Sequence, residues 1–369
     1  MSAIAKVIYH SSQFPENVRR DLLGSLRTRR VNPKFHYDSV KQTNKWLALH
    51  QAYSPSRTDL DCQKTYENGF AATIEQIADS RVCVIGLGCG GGQKDTKLLQ
   101  LLAAGGKETL YVPCDVSAAM VLVARQTALT DDLSRSRRGD EADKASTSEE
   151  EIRLLTSAAT GGRGSFNAVP IVLTEEKCSP IVCDLATASD LPAVLDQICP
   201  PEASRLITFF GMIPNFEPDE ILPKLASLAR PEDQLLFSAN LAPGPDYAAG
   251  VQRVLPQYDN PLTRDWLMTF LLDLGCGRED GELHFQVEDG TGDHGLKRIV
   301  ADFRFTRTRR IELEGEIFEF SAGDVVRLFF SYRYTSLLVH AALQRHGLRV
   351  AGEWITQSEQ EGVFLVERA

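Results

Sequence analysis

Between residues 81 and 241, short apolar runs alternate with stretches whose apolar residues recur every three or four positions. Arg81–Cys89 (RVCVIGLGC) reads as a strand buried on both faces that runs out into glycines. Gln93–Ala104 follows at helical spacing, with Leu98, Leu99 and Leu102 on one side. Thr109–Val116 predicts a second strand, and Ser117–Thr127 a second helix with Ser117 as its N-cap. Ser179–Leu185, Arg205–Met212 and Gln234–Leu241 predict three more strands, with a helix over Asp219–Leu228 between the last two. Strands alternating with helices predict an α/β fold, a parallel sheet covered on both faces.

The flanking segments read differently. Residues 1–75 look helical and are expected to contribute to a substrate domain, packed across the mouth of the sheet. A Rossmann-like cofactor domain is expected over 76–245, interrupted at 131–168 by a stretch rich in Asp, Glu, Ser, Arg and Gly. That stretch predicts a mobile insertion with one short helix, Glu149–Ser157. Residues 246–333 predict a mixed α+β substrate-binding domain. It holds a helix at Trp266–Leu274, then strands at His284–Val287 and Ile299–Phe305 joined by the turn DGTGDHG. Residues 334–369 predict a helix over Leu337–Gln344 and a strand pair, Arg349–Trp354 and Gly362–Glu367, returning to the first sheet.

Composition narrows the function classes. The chain has 369 residues, enough for a large core and a second lobe. No apolar run approaches the roughly 18 to 20 residues of a membrane span, and the N-terminus does not read as a signal peptide. The net charge of −10 argues against a nucleic-acid partner. Arg307, Arg309 and Arg310 form the densest basic cluster, and Glu312, Glu314 and Glu316 follow at once, which predicts a solvated strand pair. Eight scattered cysteines without a C-x-x-C pair suggest buried thiols and a reducing, cytoplasmic compartment. The seven histidines do not approach the cysteines at ligand spacing, so no metal is expected.

The strongest local signal is Val84–Lys94, VIGLGCGGGQK. Glycines at the end of a buried strand let the backbone turn tightly and approach a ligand. The absence of G-x-x-x-x-G-K-[ST] argues against a P-loop NTPase. Asp115 ends the second strand, where a carboxylate can accept from ribose hydroxyls, in NAD and S-adenosylmethionine alike. Asp184-Leu185 ends the third. Asp184 could take an adenine amino group while Leu185 covers the ring, or Asp184 could simply cap a helix.

In this order the motifs resemble the histidine-specific methyltransferase family, whose best-known member makes the trimethylated histidine of the ergothioneine pathway; some relatives act on tryptophan-type amines. The resemblance runs from about Pro33 to the C-terminus, apart from 131–168. It implies a class I methyltransferase domain, S-adenosylmethionine as cofactor and a small amino-acid-like substrate.

FHYD (Phe35–Asp38) resembles the family's F-Y-D box, which implies Tyr37 at the cofactor. AYSPSR (Ala52–Arg57) resembles a substrate-lining box and implies Tyr53. Gly88 and Lys94 match cofactor-contacting positions, YVPCDVS implies Asp115 on the ribose, and Asp184 and Leu185 match the adenine pair. FFGMIPNF implies Asn215 as the grip on the substrate amino acid, and QYDNP implies Tyr258 at its carboxylate. SYRY (Ser331–Tyr334) resembles an S-x-K-Y/F segment, implying Ser331 in the substrate site. Tyr37, Asn215 and Tyr258 are the residues so implied to serve the reaction.

Two departures stand out. Pro214 replaces the glycine before the asparagine, and Phe329 stands where histidine-specific members carry a ring-reading glutamate. A second alignment places Glu319 and Ser321 on that glutamate and serine. With Phe329, the expected reaction is N-methylation of a small amino acid or related amine other than histidine. The alternatives are a non-catalytic S-adenosylmethionine-binding protein of this fold and an NAD-dependent oxidoreductase.

Overall fold

The computed structural model describes residues 5–129 and 173–369. The insertion expected at 131–168, with its helix at Glu149–Ser157, lies outside the described residues.

One sheet organises the chain. Its strands are β1 (Ile8–Tyr9), β2 (Arg81–Leu87), β3 (Glu108–Asp115), β4 (Ile181–Val182), β5 (Ser204–Phe210), β6 (Gln234–Asn240), β12 (Leu348–Ile355) and β13 (Glu361–Arg368). They lie in the order β1-β4-β3-β2-β5-β6-β13-β12. All neighbours run parallel except β13, which is antiparallel to β6 and β12. Central strands read as unbroken apolar runs because both faces are covered: Val82, Cys83, Val84 and Ile85 are fully buried. One core on each face holds the layers together, each large aliphatic side chain contributing about 1.5–3 kcal/mol on burial. The third strand is much shorter than Ser179–Leu185. Pro180 has no N–H to give to a ladder, and from Asp184 the chain closes a turn, with Thr187 and Ala188 N–H donating to the Asp184 carbonyl.

The chain leaves β2 toward β3 on one side and returns as β5 on the other. This switch point opens a crevice at the carboxyl ends of the strands, where open α/β sheets bind ligands. A buried carboxylate ties the three strands there. Asp95 accepts from Tyr111 Oη of β3 at 2.8 Å and from Thr208 Oγ1 of β5 at 2.7 Å. It lies so close over Gly86 of β2 that a Cβ would sit 2.2 Å from Asp95 Oδ2. Burial pushes its carboxyl up to about 6.

The second lobe has its own core. Strands β7 (Gly281–Asp289), β8 (Lys297–Phe305) and β11 (Val325–Arg333) form an antiparallel sheet in the order β11-β8-β7. A hairpin of β9 (Arg309–Leu313) and β10 (Glu316–Phe320) stands beside it. Its two-residue loop, Glu314-Gly315, has positive φ at both positions (53° and 81°), the geometry that suits a tight hairpin. Arg307 and Arg309 are more than solvated charges, since both clamp the buried Asp280. The helix Pro261–Asp273, capped by Asn260 Oδ1 on Thr263 N at 2.9 Å, packs against the helix Val40–Tyr53, which begins with a Ser39–Gln42 capping box.

Residues 1–75 are therefore not one substrate-domain unit. β1 extends the main sheet beside β4, and the helix Leu60–Gln76 lies on that sheet, Gly69 meeting Val363 and Trp354. Only the stretch between them reaches the second lobe. Among the described residues no helix is long and apolar enough to cross a membrane.

Candidate functional site

The glycine turn after β2 is held open by its neighbours. Gly88 and Gly90 have φ of 64° and 51°, a region that side chains with a Cβ avoid. A Cβ at Gly88 would come within 2.6 Å of Met212, and one at Gly90 within 3.0 Å of Trp46. Asp115, at the end of β3, accepts from Gly90 N–H at 3.1 Å and Ser117 N–H at 3.0 Å. Burial raises its carboxyl to about 6, against the pull of those N–H groups and that of Val116. Thr43 links this corner to the other lobe, with Oγ1 donating to the Tyr37 carbonyl at 2.9 Å and lying 3.1 Å from Ser117 Oγ. Tyr37 thus stands beside Asp115. Burial first, then the Asp115 charge, pushes its phenol far above the ordinary tyrosine range, so it acts as a neutral hydroxyl.

Lys94 follows the turn. Its Nζ donates to Tyr66 Oη at 2.6 Å, lies 4.2 Å from the centre of that ring and 4.0 Å from Glu361 Oε1. Burial lowers its pKa while Glu361 opposes the shift. Tyr66 donates its one proton to Glu361, and its oxygen lies 2.7 Å from Ser238 Oγ. At the third strand, Asp184 Oδ1 accepts from Ala186 N–H at 2.9 Å in a local turn, and Oδ2 faces the buried Lys34 Nζ at 3.4 Å. Lys34 pairs more closely with Asp21, at 2.6 Å. Leu185 packs on the core beside this turn. The turn-capping reading of Asp184 therefore describes Oδ1, and Oδ2 keeps acceptor capacity. These residues fit S-adenosylmethionine: an open glycine backbone, a carboxylate on the ribose side, and an ammonium at the other end.

The opposing wall comes from β11. Its register slips between Arg327 and Phe329, and such a bulge re-aims the side chains that follow. His36 secures the bulge, Nε2–H donating to the Leu328 carbonyl at 2.7 Å, while Trp266 Nε1–H donates to the His36 carbonyl at 2.7 Å. Burial depresses His36 to about 4, which keeps the imidazole neutral. Beyond the bulge, Phe329, Ser331 and Arg333 fall on one face of the strand by its period of two. Tyr258 meets all three. Its ring is 6.1 Å from Phe329, and its hydroxyl is 2.9 Å from Ser331 Oγ and accepts from Arg333 Nη2 at 2.9 Å. Phe329 touches Trp266 (5.9 Å), Trp266 touches Tyr37 (5.5 Å), and Tyr37 touches Trp46 (6.0 Å). A continuous aromatic line therefore joins the β11 wall to the glycine turn.

The structure thus brings Tyr37, Gly88, Asp115, Tyr258, Phe329 and Ser331 to the two ends of this line. Asn215 approaches from β5, but its Nδ2 donates to the Phe330 carbonyl at 2.9 Å, so part of its capacity anchors β11. Tyr53 stands apart: 51% exposed at the end of its helix, it joins the line through no ring contact among the described residues. The alignment through Glu319 and Ser321 is set aside, because Glu319 is exposed on the β9–β10 hairpin opposite Arg310, and Ser321 N–H bonds Asp324. Sequence reading missed Trp46, Tyr66, Met212, Trp266 and Arg333. Met212 and Arg333 lie inside the quoted segments FFGMIPNF and SYRY without being singled out there, and Trp46, Tyr66 and Trp266 are ordinary helix residues until folding sets them against a motif.

Residues 16–138 match the family model described as histidine-specific methyltransferase, SAM-dependent. No curated protein matches the chain. Among solved structures, the mitomycin 7-O-methyltransferase MmcR is 13% identical, with 97% of this chain and 70% of that chain covered and a TM-score of 0.39. An amino pentose methyltransferase from Micromonospora echinaspora involved in calicheamicin biosynthesis, solved with SAM bound, is 12% identical over 87% of this chain and 96% of that one, with a TM-score of 0.35. These likenesses are too distant to bear on the acceptor. What matches is thus a stretch of the chain, residues 16–138, to a SAM-dependent methyltransferase family, and the described residues fold as an α/β sheet with an added antiparallel lobe.

Proposed function

We propose that the protein transfers a methyl group from S-adenosylmethionine to the nitrogen of a small amino acid or related amine whose side chain is less polar than histidine. One observation carries this reading: Phe329 occupies the wall between Tyr258 and Trp266. An imidazole placed against that wall would leave ring nitrogens without partners, costing about 1–3 kcal/mol per buried group. An apolar or aromatic side chain would gain from burial there. The cofactor supplies a sulfonium methyl for in-line displacement, which needs a neutral amine held at roughly 3–3.5 Å.

The chain's part is positioning. Asn215 and Tyr258 are proposed to grip the acceptor, and Tyr37 to orient it beside the cofactor as a hydrogen-bonding hydroxyl. Ser331, bonded to Tyr258, fixes that tyrosine. A phenol pushed up as Tyr37 is makes a poor base at neutral pH, so the ammonium proton leaves to water. A reducing, cytoplasmic setting suits the cysteines, all unbridged among the described residues. The test is side-by-side turnover of histidine, tryptophan, tyrosine and aliphatic amino acids with labelled cofactor. Histidine as the best acceptor would overturn the reading.

A further inference from the structure

A buried knot of polar groups lies beyond the glycine turn. Tyr66, 4% exposed, belongs to the helix Leu60–Gln76. Its hydroxyl accepts from Lys94 Nζ at 2.6 Å, gives its proton to Glu361 Oε1, and lies 2.7 Å from Ser238 Oγ of β6. Ser238 Oγ in turn accepts at 2.9 Å from the N–H of Gly211, the residue that follows β5. Glu361 opens β13 and pairs with Asn240 at the end of β6. The knot therefore stands at the carboxyl ends of β5 and β6, across the crevice from Asp115 on β3.

Two opposite charges face each other here without closing. Lys94 Nζ and Glu361 Oε1 are 4.0 Å apart, and the Tyr66 hydroxyl joins them, accepting from one and donating to the other. Attraction between buried charges is strong, so an unhindered pair would close; the phenol is the spacer that prevents it. Each partner keeps capacity unused. An ammonium has three donors, of which Lys94 gives one to Tyr66, and a carboxylate has two oxygens, of which Tyr66 takes one. Glu361 is 9% exposed, yet its Oε2 has no partner among the described residues and is not sealed off from solvent. A fixed ammonium and a fixed carboxylate, side by side and each half used, are the complement of a zwitterion. The methionine end of S-adenosylmethionine is such a zwitterion. With the ribose at Asp115 and the chain of the cofactor crossing the glycine turn, that end falls on this side of the crevice.

We propose that Glu361 is the ligand for the α-ammonium of the cofactor's methionine end, beside Lys94 on its carboxylate, with Tyr66 as the positioning residue that keeps the two apart. The proposal rests on the S-adenosylmethionine reading of the crevice and adds to it a residue from the last strand of the chain. An ammonium could also come from the acceptor, and the experiment separates the two sources.

Calorimetry without acceptor compares four thioethers of deoxyadenosine: S-adenosylhomocysteine, its deaminated analogue with the carboxylate alone, its decarboxylated analogue with the amine alone, and methylthioadenosine, which has neither. The wild type should bind S-adenosylhomocysteine about ten- to a hundredfold more tightly than the deaminated analogue, the worth of one charge-assisted bond. Glu361→Gln keeps an acceptor for Tyr66 and removes the charge. It should weaken S-adenosylhomocysteine and the amine-only analogue by that factor, and leave the carboxylate-only analogue and methylthioadenosine within about threefold of wild type. Tyr66→Phe removes the spacer, so Lys94 and Glu361 close on each other. S-adenosylhomocysteine should then weaken about tenfold while methylthioadenosine holds.

Equal binding of S-adenosylhomocysteine and its deaminated analogue by the wild type would overturn the proposal without any variant. So would a Glu361→Gln protein that loses all four ligands alike, since the knot would then only support the fold. A Glu361→Gln protein that keeps its S-adenosylhomocysteine affinity and raises only the acceptor KM would overturn it too, and would give the ammonium site to the acceptor. In each of these outcomes the wild type still binds the adenosine ligands, so the cofactor reading stands. If the wild type binds none of the four, both fail.

Discussion

Removing the Asp115 carboxylate should cost cofactor affinity by an amount the structure bounds. A carboxylate offers about four acceptor sites, and the N–H groups of Gly90, Val116 and Ser117 occupy up to three of them. One remains for a ribose hydroxyl, and a hydrogen bond to a charged group contributes about 1.5–3 kcal/mol. Asp115→Ala should therefore weaken S-adenosylmethionine binding about ten- to 150-fold at neutral pH, with further loss as the glycine turn loosens.

The same carboxylate sets a pH dependence. Burial raises it to about 6, and the ionised form is the better acceptor, so affinity falls as pH falls through that value. Between pH 7.5 and pH 5 the wild-type dissociation constant should rise about tenfold. Asp95 is also raised to about 6, but it serves the sheet, so the Asp115 variant should lose the slope while Asp95→Asn keeps it. Calorimetric titration across that range reads all of this. An Asp115→Ala protein within twofold of wild type, or a flat wild-type profile, would refute the reasoning.

Three further outcomes follow from the same contacts. Phe329→Glu restores an acceptor between Tyr258 and Trp266, so the ratio of kcat/KM for histidine to that for tryptophan should rise about tenfold or more; an unchanged ratio in a folded variant would remove Phe329 from substrate choice. Gly88→Ala forces a Cβ toward Met212 at positive φ, and should lower cofactor affinity at least about tenfold while the melting temperature moves little, read by titration beside calorimetric melting. His36 is depressed to about 4 in the fold, so the stability that its neutral form contributes is present above its unfolded pKa near 6.5 and is lost as pH falls toward 4. Urea unfolding should show the wild type losing about 3 kcal/mol relative to His36→Gln across that window, and parallel curves would show that His36 titrates freely.

The residues that mark this site in the linear sequence are those whose chemistry is local. Gly88 and Gly90 must be glycine because of their own φ and their close neighbours. Asp115 is fixed by the turn it closes two residues later, and β2 and β5 are rich in apolar residues because they lie at the centre of a covered sheet. Such constraints act over a few residues and leave a pattern. The short β4, the β1 edge strand and the helix Leu60–Gln76 on the main sheet were not legible in this way. Each depends on a partner far along the chain: β4 on Cys114 and Ile8, β1 on Ile181, and the helix on Val363. The acceptor wall depended most on folding. Phe329, Ser331 and Arg333 share one face by the strand's period of two, and the β11 bulge, bonded by His36 from nearly 300 residues away, decides which face that is. Order favoured Phe329 over Glu319 through the basic residue, aromatic and helix that follow Ser331, but which face a strand residue presents flips with a register change of one residue. Tertiary pairing made that choice, and with it the polarity of the pocket.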